Sequence, residues 1–292
     1  VTLGSINGAH ALAITAGGGD IVLGTVGPTV TGMTLTGNTA SLAAVTTTGA
    51  QDYSGVTTTT LHGALAVGTA GFGIRAGAVA LAAGGGTLTL TGSDTANDVT
   101  LGTVNGAHAL AITAGGGDIV LGAVGPTVTG VTLAGNTASL AAVTTTGAQD
   151  YTGVATTTLN GTLTVSTAGA GVSAGAVALA ASGGTIALTG SNAANDVTLG
   201  TVQGPSALNI TAAGGDIVLG AALSRTALGS VKRRGTDQHR GHERVQGVFM
   251  LLLAHVTVRA LQPFLGRLTG ANPQQQPQRE QRPFVHERGA RA

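Results

Sequence analysis

The stretch VTLGTVNGAHALAITAGGGDIVLG, Val99–Gly122, decides the fold. It stands 98 residues after VTLGSINGAHALAITAGGGDIVLG at Val1–Gly24 and returns, 98 residues later, as VTLGTVQGPSALNITAAGGDIVLG at Val197–Gly220. A repeat of this kind is one structural unit used again, and it is read before any single helix or strand. The units are 1–98 and 99–196, with a partial third at 197–222. Within a unit, Leu101-Gly-Thr-Val104 is echoed by Leu121-Gly-Ala-Val124 and Leu140-Ala-Ala-Val143, at steps of 20 and 19 residues. Ninety-eight residues then divide into about five coils of about 20.

Each coil carries short alternating runs such as ALAIT (Ala109–Thr113), GTLTV (Gly161–Val165) and TIALT (Thr185–Thr189). Alternation of apolar residues with Thr, Ala or Ser is the period of a strand, and β-branched residues favour it. GGGD at Gly115–Asp118, Gly125-Pro126, Gly135-Asn136 and Ser182–Gly184 punctuate the runs as turns. A five-residue strand of Ala, Val and Leu buries too little surface to stand alone, whereas stacked coils bury a continuous stripe. The expected fold is all-β, a parallel β-helix (β-solenoid) in which Leu101, Leu121 and Leu140 stack in register about 4.8 Å apart. About eleven coils would make a rod of roughly 50 Å. A β-propeller is the rival, but it needs blades of 40–50 residues and aromatic blade motifs.

Composition agrees. Of 292 residues, 50 are Gly, none is Cys or Trp, and aromatic residues make up 2%. Without cysteine there is neither a disulfide framework nor a thiolate metal site. No apolar run reaches the roughly 20 residues of a membrane-spanning helix, so no transmembrane segment is expected.

Charge divides the chain in two. Residues 1–222 hold one cation, Arg75, against eight Asp. Residues 223–292 hold Lys232 and eleven Arg against four acids, with eight Gln and four of the seven Pro. After Ala221 the repeat should read VGPTVTG, but the chain reads ALSRTALGSVKRRG. The tail 223–292 is therefore read as a basic, Gln/Pro-rich, non-solenoid segment, partly disordered at Asn272–Arg282, and as a frame-shifted or otherwise non-native end. If no alternate frame of the nucleotide sequence restores VGPTVTG after codon 221, the frame-shift reading fails. KRRG and HRGHER form a basic patch, but they lack interleaved aromatics and a fold motif, and no nucleic-acid partner is expected. Val248–Val258 is too short to span a bilayer and suits a short helix or a cap on the stack; His239, His242 and His255 lack metal-ligand spacing.

TTTGAQDYTG (Thr144–Gly153), the TLNGTLTV strand and NDVTLGTVNGAHALAITAGGGDIVLG together resemble the repeat arrays of filamentous-haemagglutinin-like and autotransporter-like bacterial surface adhesins. The resemblance covers Val1 to about Ala222. It implies a right-handed parallel β-helix, export to the extracellular or outer-membrane surface, and a stalk or adhesive filament. Partners would be a surface receptor or glycan. The family's N-terminal secretion domain and outer-membrane translocator are not in the sequence, and Val1 opens in mid-pattern, so the chain is read as a fragment of a longer exoprotein.

Single residues point less far. Asp94 and Asp98 form the nearest carboxylate pair, as a polysaccharide-active β-helix enzyme would need, but the second unit has Asn192 and Asp196 there, and Arg75 becomes Ser173. A catalytic role would require three of Asp52, Asp94, Asp98, Arg75 and His62 to converge. Asp98, Asp118, Asp196 and Asp216 each precede a strand, where a carboxylate caps backbone N–H groups in an Asx turn. His10 and His108 give way to Ser206 in the third unit, and His62 to Asn160, which suits loop histidines rather than metal ligands. GGGD occurs once per unit, not in the tandem array of a calcium-binding repeat, and no GK[ST] follows it to make a phosphate loop. The Thr clusters Thr46–Thr48, Thr57–Thr60, Thr144–Thr146 and Thr156–Thr158 raise an ice-binding alternative, which needs one Thr-x-Thr per coil on one face. Tyr53 and Tyr151 either plug a coil corner or offer a ring to a glycan. No catalytic residue, cofactor or metal is assigned, and the chain is read as a non-enzyme. The open edge of the last coil, after Gly220, is expected to drive end-to-end self-association.

Overall fold

The computed structural model describes residues 1–167, 169–189 and 192–220, together with the backbone of Leu228–Arg233. The described residues form an all-β stack of about eleven parallel coils, a β-solenoid. Every strand pairing is parallel. Leu101 lies in register with Leu121, and Leu121 with Leu140, as the spacing predicts.

Each coil has three faces. In one coil they are Val99–Leu101, Val104–Asn105 and Leu110–Thr113; the next coil covers them with Ile119–Leu121, the bridge at Val124, and the start of Val131–Leu140. Alternate residues point inward. Leu101, Val104, Leu110 and Ile112 are buried, and the residues between them face outward or lie half-buried. The interior is almost wholly Val, Leu, Ile and Ala, because three short faces around one axis leave little room for larger side chains.

The coil and the sequence repeat are out of step. Residues 1–98 contain nine strands, and three of them (Met33–Leu42, Gln51–Leu61 and Ile74–Leu81) bend over a corner and serve two faces. With the bridges at Ile6 and Val26 that makes fourteen face segments. Fourteen is not a multiple of three, so the unit winds about four and two-thirds turns instead of five. Coil length varies from 18 residues, where Met33 meets Gln51, to 25, where Ala76 meets Leu101. The longest coil carries the extra corner loop Thr91–Asp98. As a result Leu3 heads the column Leu23, Leu42, Leu61, Leu81, whereas its copy Leu101 joins the column of Ala76, Leu121, Leu140 and Leu159 on another face.

Pairing continues beyond the repeated text. The backbone of Leu228–Arg233 runs parallel to Leu208–Ala212, with Val231 at the register position of Ile210. Parallel pairing uses only main-chain N–H and C=O groups, so the stack extends past residue 222, where the sequence repeat ends. The expectations placed on 234–292, namely disorder at Asn272–Arg282, the Val248–Val258 segment, the tail histidines and the HRGHER patch, lie outside the described residues, as do the side chains of Lys232 and Arg233.

Candidate functional site

Strand pairing brings together residues that are far apart in sequence. On one face the outward positions Thr34, Asp52, Arg75, Thr100 and Val120 follow one another in register. Adjacent members are about 4.8 Å apart. Arg75 therefore stands between Asp52 on the coil before and Thr100 on the coil after. Asp98, two residues before Thr100, lies at the corner where this face begins, and its carbonyl accepts the Ile74 N–H at 2.9 Å. The loop Gly71–Gly73 crosses the same corner. Its Gly71 N–H donates to the buried Asn97 Oδ1 at 2.8 Å, and Asp94 Oδ2 lies 3.7 Å from where a side chain at Gly71 would begin. Phe72, at the crest of that loop, is 43% exposed.

Thus Asp94 and Asp98 border the Gly71–Gly73 loop, and Asp52 stands beside Arg75 on the face that begins after it. His62 lies elsewhere, immediately after Gln51–Leu61, with the second face of the coil between it and Arg75. The corner presents a donor-only guanidinium among acceptor-only carboxylates. One oxygen of each carboxylate is engaged by a nearby donor: Asp52 Oδ1 accepts from Ser54 N and Oγ, Asp94 Oδ1 from Ala96 N, and Asp98 Oδ1 from Asp118 N.

The pre-strand carboxylates act as caps, though not within their own turns. Asp98 accepts the N–H of Asp118 at 3.0 Å, and Asp196 that of Asp216 at 2.8 Å, each from the following coil. Asp118 accepts from Asn136 Nδ2, Thr137 N and Thr137 Oγ1, again one coil on. The Asx turns within a single loop belong to Asp52, Asp94, Asp150 and Asn192. Asp20 binds Thr39 and Asn38 as its copy Asp118 binds Thr137 and Asn136. The Thr39 hydroxyl first, and the Asn38 amide second, hold its carboxyl below the usual carboxylate range.

Tyr53 and Tyr151 offer no ring to a glycan: both are fully buried on strands and pack in the core. The Tyr53 hydroxyl donates to Gln51 Oε1 at 2.9 Å, and Gln51 Nε2 donates to Thr47 Oγ1 and to the Ala66 carbonyl. Tyr151, Gln149, Thr145 and the Thr164 carbonyl repeat the arrangement. Burial raises the ionisation of both phenols well above the usual tyrosine range. This buried polar chain was not anticipated from sequence. The signal was present: alternation counted on from Val45 places Thr47, Gly49, Gln51 and Tyr53 all inward.

His10 and His62 are exposed and His108 is half-buried. Among the described residues no three His, Cys, Asp or Glu side chains form a group that could hold a metal ion, and no helix is long and apolar enough to cross a membrane. Threonine columns are interrupted on every face. One reads Thr87, Ala111, Thr132, Asp150, Ser173, Thr198, Val218, and another Thr144, Thr164, Ala187, Thr211. No protein-family model, curated protein or solved structure matches this chain.

Proposed function

We propose that the chain is part of a surface exoprotein of the filamentous-haemagglutinin-like or autotransporter-like kind, a non-catalytic β-solenoid stalk that extends and displays contact sites. The observation that carries this reading is the coil stack. Its inward positions hold mostly small apolar residues that pack, with one buried Tyr–Gln–Thr chain in each full unit, and most differences between the units fall at outward positions. Such a stack lengthens by adding coils, each contacting only its neighbours, and that is the economy of a reach-extending rod. Because each unit ends a third of a turn out of phase, copies of one surface residue point in three directions in turn. Contacts would then be distributed around the rod, and weak ones would combine by multivalency. The test is antibody labelling of intact source cells. Labelling without permeabilisation is expected; labelling only after permeabilisation overturns the proposal.

The second reading is a polysaccharide-active β-helix, favoured by Asp52 standing in register beside Arg75, with Asp98 at the corner where that face begins. Release of reducing ends from polysaccharide by the purified chain would decide for it.

A further inference from the structure

We propose that the corner around Phe72 and Arg75 binds a neutral saccharide. The inference begins with what distinguishes the two full units. They differ at 19 of 98 positions, yet only four of these differences involve a charge, an aromatic ring or a histidine: His62/Asn160, Phe72/Ala170, Arg75/Ser173 and Asp94/Asn192. The fold gathers three of the four at one corner. Asp94 Oδ2 faces the residue beside Phe72, and Arg75 follows three residues later on the same loop and strand. Asp52, shared by the second unit as Asp150, stands beside Arg75 on the coil before, and Asp98, shared as Asp196, lies against Gly73 on the coil after.

The chemistry of the group selects its ligand. An exposed phenyl ring offers a flat apolar surface but no hydrogen bond. Arg75 supplies only donors, and the carboxylates supply only acceptors. An anion would meet Asp52, Asp94 and Asp98; a cation would meet Arg75. A sugar ring satisfies all of them, because its C–H face stacks on the phenyl while each hydroxyl both donates and accepts. The backbone does not depend on this chemistry. The second unit holds the same strand, Val172–Leu179, in the same pairings with Ala170 and Ser173 in place of the ring and the cation.

The site lies on the rod proposed above, but saccharide binding does not require surface display, so cell labelling and the experiment that follows fail independently. Saturation-transfer NMR on the intact chain would use maltohexaose, cellohexaose and mannohexaose, with chitosan hexamer as the cationic arm and hyaluronan hexamer as the anionic arm. Transfer to at least one neutral hexasaccharide is expected. It should fall at least tenfold in Phe72→Ala and in Arg75→Ser, both of which install second-unit residues that this fold already accommodates. It should be unchanged in His62→Asn, away from the corner. No transfer to any neutral sugar, transfer confined to a charged arm, or an unchanged signal in Phe72→Ala would each overturn the site.

Discussion

The two full units share an interior and differ in their chemistry outside it. Every inward difference replaces one apolar residue by another: Ile6 by Val104, Met33 by Val131, Ile74 by Val172, Leu88 by Ile186. The outward differences include a ring, a cation and a carboxylate gathered at one corner. The units therefore hold one coil geometry through two different surfaces. The stack keeps its geometry through these outward changes, and the positions that change are available for recognition.

The strongest way to break this equivalence is to remove the largest shared core side chain. Tyr53→Ala and Tyr151→Ala should each cost about 3–5 kcal/mol, the range for deleting a buried aromatic, and each also leaves a buried Gln with one acceptor unsatisfied. Urea midpoints of the two variants should fall together. A fall in only one would show that the two interiors are not equivalent.

A second substitution should separate the units. Gly17 and Gly115 stand at the same place in the repeat, both with left-handed backbone, φ 56° and 58°. A methyl group at Gly17 would meet open space, whereas at Gly115 it would strike the Gly92 carbonyl of the coil before. Gly17→Ala should cost about 1–2 kcal/mol for the left-handed conformation alone. Gly115→Ala should add roughly 1–3 kcal/mol of forced displacement, read as a lower unfolding midpoint. Equal costs would contradict the stacking of Gly115 beneath Gly92.

These two sites also mark how far the sequence was legible. The parallel stack was readable because coils in register must repeat their inward residues at one spacing, and Leu101, Leu121 and Leu140 do so. The third-turn slip was not, since it arises from corner loops of unequal length. The step from Asp52 to Arg75 is 23 residues and that from Arg75 to Thr100 is 25, so a fixed period near 20 leaves this column unaligned. The Phe72 corner was hidden for the same reason. The inward Gln51 and Asn97 were hidden by composition, because a polar residue next to an aspartate, as in Gln51-Asp52 and Asn97-Asp98, reads as exposed until the alternation is followed through it.

Alkaline unfolding probes the shared polar chain. Burial holds both phenols neutral beyond the usual tyrosine range. Their unfolded forms ionise near pH 10. With the folded value raised, their contribution is complete below pH about 10 and is lost as pH climbs from there toward the folded value. Stability should fall by about 1.4 kcal/mol per pH unit for each tyrosine above that point. Tyr53→Phe should remove one tyrosine's share of the slope, and Tyr151→Phe an equal share. An unchanged slope in either would show that its phenol ionises within the fold.

The smallest effect concerns two hydroxyls that differ from their neighbours in the same unit. Thr47 Oγ1 accepts from Gln51 and donates to the Gly49 carbonyl at 2.5 Å, so its burial is compensated. Thr59 Oγ1 and its copy Thr157 Oγ1 are buried without a hydrogen-bond partner. Their register neighbours are apolar: Ala40 and Val79 for the first, Ala138 and Val177 for the second. A hydroxyl in such a place gives up hydration and gains nothing, and a valine side chain keeps its shape without that loss. Thr59→Val and Thr157→Val should therefore stabilise the solenoid by about 1 kcal/mol each, seen as raised urea midpoints, while Thr47→Val should lower the midpoint by removing one of the two Gln51 Nε2 bonds and the donor to the Gly49 carbonyl. If all three substitutions destabilise alike, the two hydroxyls have partners within the coil, and the shared interior carries more polar pairing than its two Tyr–Gln–Thr chains.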